Sequence, residues 1–287
     1  MAQILPMLRR PDPGAAAAGY FDWEGFQIAF EVHGPENGLP VVLVHGILLD
    51  SACNRDLALS LAEEGYKVVL LDLLGHGASS RPRHSKWLRV DLYADQIRCC
   101  LNHLGLDRVV LGGVSLGAIS SLQFTSEHPD RVQGLLLEMP VMERAAPAAA
   151  LTLIPILGMA RFGKPLLRGV KSLVQRLPEP KRNIWRMARN LGLHDPEDIA
   201  AIIHGVLVGP TVPTRKARQA MRAPALIIGH GGDWLHNLED AQVLAREMPN
   251  ARFVIARSIL ELRLHPERLM PKILSFLERT QLPPPAA

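Results

Sequence analysis

The chain has 287 residues, of which 48% are hydrophobic and 21% charged, and its formal net charge is +4 at pH 7. The length is sufficient for one large α/β domain with a buried core, and the composition indicates a globular chain and not a disordered one. Three cysteines, two of them adjacent, exclude a disulfide framework. Without a signal-peptide pattern or a membrane-length apolar run, we expect a cytoplasmic protein with no transmembrane segment.

The positive charge is concentrated in one part of the chain. Residues 161–190 contain nine lysines and arginines and a single acidic residue, Glu179. Such a run usually forms a solvated helix face; the sharper alternatives are recognition of an anionic substrate and docking to an acidic membrane surface. The absence of interleaved aromatic residues argues against nucleic-acid binding.

The elements alternate along most of the chain. A strand pair around Gly25 covers residues 20–31, and a series of apolar runs follows at 41–44, 67–72, 108–113, 132–138, 225–229 and 252–256. These near-continuous runs are typical of parallel strands buried on both faces. Helical patterns between them predict right-handed crossovers and a doubly wound, mostly parallel sheet.

Residues 141–221 interrupt this alternation with several helical patterns. Prolines separate predicted helices at 148–161, 163–176, 181–191 and 196–206. We therefore divide the chain into a flexible tail (1–19), a core (20–140 and 222–280), a helical cap (141–221) and a second tail (281–287). The cap is expected to be built from Leu, Ile and Met, with a basic outer surface.

A Gly-x-Ser-x-Gly motif, Gly113 to Gly117, stands between an apolar strand and a helical segment. This is the context of a nucleophile elbow, in which a tight turn holds the serine at positive φ. The small residues on either side of Ser115 prevent a clash. The hydroxyl is lifted to the sheet edge, where the next helix can stabilise an oxyanion.

Three further segments carry a resemblance to a known family. They are Val41 to Ile47 with its His-Gly turn, Val68 to Ser79 with Asp-x-x-Gly-His-Gly-x-Ser, and Ala225 to Asp233. Together with the elbow they resemble the α/β-hydrolase superfamily over about residues 20–140 and 222–279. Within that resemblance, Asp72 and His76 are interpreted as structural.

The resemblance implies a role for several positions. Ser115 would be the nucleophile and Asp233 the acid that orients the base. The backbone N–H groups of Ile47 and Leu116 would form the oxyanion hole. Glu138, at the end of the preceding strand, is the reserve acid.

The catalytic histidine is the one part of the pattern that the sequence does not supply. Counting back from the last helix places it near Ile259, where no histidine stands. We take His265 as the tentative base and His236 as the reserve. His194, His204 and His230 are weaker candidates, and a site without a histidine base is the remaining alternative.

These features predict a serine hydrolase that cleaves an ester or related acyl bond through an acyl-Ser115 intermediate. The expected substrate is a small hydrophobic molecule, with an anionic group as an alternative; no cofactor or metal is expected. Serine at the apex argues against dehalogenase and epoxide hydrolase chemistry, for which the family uses Asp. The alternatives are an impaired binding or accessory protein and a non-hydrolytic enzyme, such as a lyase, a cyclase or a C–C bond enzyme. The oligomeric state is left open.

Overall fold

The computed structural model describes residues 17–210, 212–232 and 235–281. Its strands form a single mixed sheet. They are β1 (Ala17–Trp23), β2 (Phe26–His33), β3 (Pro40–Val44), β4 (Lys67–Leu71), β5 (Val109–Val114), β6 (Val132–Glu138), β7 (Ala225–His230) and β8 (Ala251–Ala256).

The strand order is β1-β2-β4-β3-β5-β6-β7-β8. The first two strands pair antiparallel, and β2 is also antiparallel to β4, whereas the pairs from β4 through β8 are all parallel. This arrangement confirms the predicted doubly wound, mostly parallel sheet.

Helices cover both faces of the sheet and also form an insert between β6 and β7. In chain order they are α1 (Arg55–Glu63), α2 (Val90–His103), α3 (Leu116–Glu127), α4 (Ala146–Phe162), α5 (Lys164–Arg176), α6 (Asn183–Leu191), α7 (Pro196–Val208), α8 (Arg215–Ala220), α9 (Leu238–Glu247), α10 (Glu261–Leu264) and α11 (Met270–Gln281). We call α4 to α8 the helical insert.

The central strand β3 shows why its sequence is apolar throughout. Val42 and Val44 pack into the cluster that contains α2 and α3 side chains, while Val41 and Leu43 pack into the cluster that contains those of α1 and α11. Successive side chains point to opposite faces of a strand, and here each face is covered by helices. All four side chains are therefore buried.

Helices α4 to α7 lie within two residues of their predicted bounds. The sequence did not predict α8, because six residues show too little periodicity to be recognised. Thr214 caps α8 by accepting a hydrogen bond from the Ala217 N–H. The expectation of a basic outer surface is incomplete, since the insert also exposes large apolar side chains such as Phe162 and Leu166.

The first strand begins earlier than the sequence suggested. Residues 17–19, assigned to the N-terminal tail, belong to β1 and pair with Phe30 to Val32 of β2. At Gly19 a side chain would come within 3.1 Å of the Phe30 ring, so the missing Cβ lets that ring lie against the strand. The remainder of the predicted N-terminal tail, residues 1–16, lies outside the described residues, as do residues 282–287.

Candidate active site

Ser115 occupies a tight turn between β5 and α3. Its backbone has φ 54° and ψ −109°, which confirms the positive φ predicted for the elbow. A Cβ at Gly113 would lie 2.3 Å from the Val44 carbonyl oxygen, and one at Gly117 would lie 2.2 Å from the same atom. Only glycine fits at either position, because any Cβ would clash with this oxygen.

The neighbouring strand also fixes the elbow. The Ser115 N–H donates to the carbonyl oxygen of Glu138 at 2.9 Å, at the carboxyl end of β6. Leu116 is the first residue of α3 and is buried. The first N–H groups of a helix point out of its N-terminus, so this end of α3 faces the space above the serine.

The second oxyanion candidate, Ile47, lies in the turn after β3. This turn is closed by a hydrogen bond of 3.1 Å from the Leu49 N–H to the Gly46 carbonyl oxygen. Leu48, within the turn, has φ 59°. Because β3 and β5 are adjacent parallel strands, their carboxyl ends bring this turn to the same sheet edge as the elbow.

The histidine that contacts the serine comes from the segment after β7. His236 Nε2 lies 3.0 Å from Ser115 Oγ, within hydrogen-bonding distance, and the pair is partly buried. The following residue, Asn237, begins α9 by accepting a hydrogen bond from the Glu239 N–H at 2.8 Å. This cap fixes where the loop ends and the helix starts, and so helps to place His236. Asp233, the predicted acid, lies outside the described residues.

In the loop after β8, where the sequence analysis expected the base, the two candidate positions are exposed. Ile259, where the sequence count placed the base, is 43% exposed, and His265 is also exposed at the end of α10. The same loop sends Arg263 inward, where its guanidinium pairs with the Glu138 carboxylate and donates to the Cys53 carbonyl oxygen at 3.2 Å. Glu138, the reserve acid, is therefore engaged by an arginine rather than by a histidine.

Two other histidines hold loops together. His45 Nδ1 bonds to the Gly46 carbonyl oxygen at 2.8 Å, and its Nε2 accepts the Leu73 N–H at 3.0 Å. Burial lowers the pKa of His45, which keeps it neutral and suits a structural role. His194 of the insert bonds through Nε2 to the Leu48 carbonyl oxygen at 2.9 Å.

The remaining candidate histidines, His204 and His230, take other positions. His204 lines an open groove on the insert. His230 is buried at the end of β7, and its ring centroid lies 6.3 Å from that of His236.

A polar cavity of about 270 Å³ separates the helical insert from the core. Its acidic lining residues include Asp50 and Asp198, and burial raises the pKa of each to about 6. Ser115 is not among its lining residues. Beside the serine, a small apolar cluster is formed instead by Cys53, Val114 and Met139, with Leu49 and Met187 packed against it.

The chemistry of the remaining groups narrows the choice of nucleophile. Burial raises the pKa of the Cys53 thiol to about 12, so this cysteine is not a thiolate at neutral pH. All three cysteines are free. Within residues 17–210, 212–232 and 235–281, no group of three or more His, Cys, Asp or Glu side chains is arranged to hold a metal ion.

Comparison with known proteins places this geometry in a family. The model of the alpha/beta hydrolase fold family matches residues 40–258. The chain belongs to this family. An uncharacterized protein of Mycobacterium tuberculosis (strain ATCC 25618 / H37Rv) is 35% identical over 113 residues, which are 39% of this chain and 32% of that protein. A haloalkane dehalogenase of Mycolicibacterium paratuberculosis is 31% identical over 119 residues, 40% of each chain.

This α/β-hydrolase chain therefore matches less than half the length of those curated relatives. A solved structure of a thermophilic esterase from Thermogutta terrifontis covers more: it shares 25% identity and a TM-score of 0.69 over 93% of this chain and all of that one. The family as a whole consists mostly of hydrolytic enzymes.

One sequence signal could have favoured His236 over His265. The segment after β7 already carries Asp233, and His236 follows it three residues later, before the Asn237 cap. Helix spacing placed His265 directly at a helix start, where a side chain is commonly exposed. The contact with Ser115 depends on how the β7–α9 loop folds over the sheet edge, which residue spacing alone does not determine.

Proposed function

We propose that this protein is a serine hydrolase in which His236 is the general base for Ser115. The observation that carries the proposal is the 3.0 Å separation of His236 Nε2 and Ser115 Oγ. A hydroxyl is a weak nucleophile at neutral pH and needs a base within hydrogen-bonding distance. The positive φ of Ser115 supports the same assignment, because it holds the hydroxyl clear of the sheet.

In the proposed reaction, Ser115 Oγ attacks an acyl carbonyl carbon while His236 Nε2 accepts the hydroxyl proton. The N–H groups of Leu116 and Ile47 stabilise the oxyanion of the tetrahedral intermediate. The protonated His236 then donates its proton to the leaving alcohol, which leaves an acyl-Ser115 intermediate. Water hydrolyses this ester in a second step, with His236 again acting as the base.

We further propose Asp233 as the acid that orients His236, although it lies outside the described residues. Base and acid would then come from the same loop, three residues apart. The engagement of Glu138 by Arg263 supports Asp233 over the reserve acid. His265 is the less favoured base because its side chain is exposed.

The expected substrate is a small hydrophobic ester or related acyl compound. The cluster of Val114, Met139 and Cys53 beside the elbow, with Met187 of α6 packed against it, supports this class. The helical insert would act as the cap over the acyl group. Serine at the apex supports acyl chemistry over the dehalogenation for which one relative is named.

The test is turnover of a short p-nitrophenyl ester by the parent, Ser115→Ala and His236→Ala proteins, with His128→Ala as a matched histidine control. We expect both site variants to lose at least roughly 10³-fold in kcat and the control to retain activity. A burst of p-nitrophenol in the parent would report the acyl intermediate. Equal turnover in all four proteins, or none in the parent, would contradict the proposal and favour a binding protein.

A further inference from the structure

The helical insert exposes an unusual amount of apolar surface. Among the described residues, all but three of the exposed large apolar side chains lie in it; the exceptions are Leu59, Ile255 and Ile259. Phe162, at the junction of α4 and α5, is 88% exposed. Single exposed apolar residues are ordinary, but a concentration of this kind marks a surface that contacts something else.

The pattern is clearest on α5. Leu166, Val170 and Leu173 follow one another at intervals of four and three residues, so they share one face of the helix, and Leu177 comes directly after the helix end; all four are exposed. Leu167 lies about a quarter of a turn away from this face and packs against the main core. Helix α5 is thus amphipathic with its apolar face turned outward.

The ion pairs of α5 keep it in that orientation. Lys164 Nζ lies 3.2 Å and Arg168 Nη2 2.8 Å from Glu197 Oε1, and Lys171 Nζ lies 2.7 Å from Asp195 Oδ2. Both acids stand at the start of α7. The charged side of α5 therefore faces α7, and its leucine face is turned away from the insert.

The exposed apolar face is bordered by free positive charge. Arg161, Arg176, Lys181 and Arg182 are exposed and make no ion pair with another described residue. Arg161 and Lys164, on either side of Phe162, line a groove of about 470 Å³ together with Arg83, His84 and His204, among others. An apolar face with basic borders is complementary to a bilayer surface that carries anionic headgroups.

The geometry indicates a helix pair that lies on a membrane rather than across it. No single described helix is both long and apolar enough to cross a bilayer; α4 and α5 pass that test only together, and they meet at 91°. A span through this pair would place Lys164, Arg168 and Lys171 in hydrocarbon, which is costly. A bent pair can instead lay its apolar side chains at the boundary between headgroups and acyl chains.

We propose that the helical insert docks on the surface of a bilayer containing anionic lipids. Phe162 and the exposed leucines of α5 enter the outer acyl region, and Arg161, Arg176, Lys181 and Arg182 lie at the level of the phosphates. Docking does not require the chemistry proposed for Ser115, so the Ser115→Ala protein binds vesicles as the parent does.

The experiment is co-sedimentation of the full chain with vesicles of phosphatidylcholine alone or mixed with phosphatidylglycerol, at low and high NaCl. We expect binding to the anionic vesicles that weakens with salt, and little binding to the neutral ones. The double variant Phe162→Ser/Leu166→Ser should bind anionic vesicles at least roughly tenfold more weakly. The matched control is Leu59→Ser, which replaces an exposed leucine on α1, outside the helical insert. This variant should bind as the parent does.

Thermal unfolding of each variant checks that the fold is retained, which we expect because all three substituted side chains are exposed. Equal binding by the parent and the double variant would overturn the proposal, as would failure of the parent to bind anionic vesicles. Sedimentation velocity provides a further test. Suppose that the parent forms a dimer, that the double variant does not, and that the parent does not bind vesicles. The surface would then be assigned to a second copy of the chain.

Discussion

His194 of the helical insert and Leu48 of the core are joined by a hydrogen bond of 2.9 Å between His194 Nε2 and the Leu48 carbonyl oxygen. The other ring nitrogen, Nδ1, lies 3.0 Å from Arg81 Nη1. Because an arginine can only donate, Nδ1 accepts and Nε2 carries the proton that is donated to Leu48. The insert thus fixes the turn that contains Ile47, an oxyanion candidate.

We expect His194→Ala to lower kcat for ester hydrolysis by about tenfold with a smaller change in KM. Loss of one oxyanion donor typically costs on the order of 10²–10³ in kcat, and a displaced turn should lose part of that. His194→Gln, which keeps a side-chain donor, should recover much of the loss. The measurement is steady-state kinetics with a p-nitrophenyl ester. An unchanged kcat in His194→Ala would show that the turn holds its position without this bond.

The position of Ile259 leads to a second prediction. If the site lacked only a base, Ile259→His would produce a large gain in activity. Because His236 already contacts Ser115 and Ile259 is exposed, we expect a change of less than about twofold in kcat/KM. The informative comparison is with Ile259→His in a His236→Ala background. Rescue there by a factor of about 100 or more would show that the loop after β8 can still deliver a base.

Two glycines test the steric account of the elbow. In Gly117→Ala the new Cβ would approach the Val44 carbonyl oxygen to 2.2 Å, so we expect a loss of at least about 2 kcal/mol in the free energy of unfolding. At Gly158, inside α4, an added Cβ would have no heavy atom of the described residues within 4 Å apart from its own stretch of helix. Gly158→Ala should therefore stabilise the protein by about 0.5–1 kcal/mol. Urea unfolding of both variants tests whether the two changes in the free energy of unfolding have these opposite signs.

Asp50 makes stability depend on pH. Burial, followed by the nearby charge of Asp72, raises the pKa of Asp50 from 3.8 to about 6. The folded state therefore holds this proton more tightly than the unfolded state. Its stabilising contribution is complete below about pH 4 and is lost as the pH rises to about 6, with an upper limit on the order of 3 kcal/mol.

We expect Asp50→Asn to flatten the decline in unfolding free energy between pH 4 and 6. Asp198, whose pKa burial also raises to about 6, should supply part of the slope that remains. Urea titrations at four pH values from 4 to 7 make the comparison, with Asp107→Asn on the surface as the control. Identical pH profiles in the Asp50→Asn and parent proteins would refute the assignment.

The strands and the elbow could be predicted from sequence because their signals are local. A continuous Val/Leu run reports burial on both faces, as in β3, and the glycines around Ser115 report a turn that leaves no room for Cβ. His236 could not be chosen in this way, since its contact with Ser115 joins residues 121 positions apart. The direction in which the insert presents its leucines was also missed. It depends on ion pairs from α5 to Glu197 and Asp195, which only the folded chain reveals.

Leu48, Ser115 and Met139 follow three adjacent parallel strands, and each holds a backbone conformation that L-amino acids with a side chain rarely adopt. Each such residue reduces the stability of the fold by on the order of 1 kcal/mol. Selection for heat resistance alone would be expected to replace Leu48 and Met139 with glycine or asparagine, which accept this conformation readily. Such variants would gain thermal stability, but the sheet edge around the serine would no longer be held in one conformation. Laboratory evolution of this protein should therefore screen for turnover and heat resistance together.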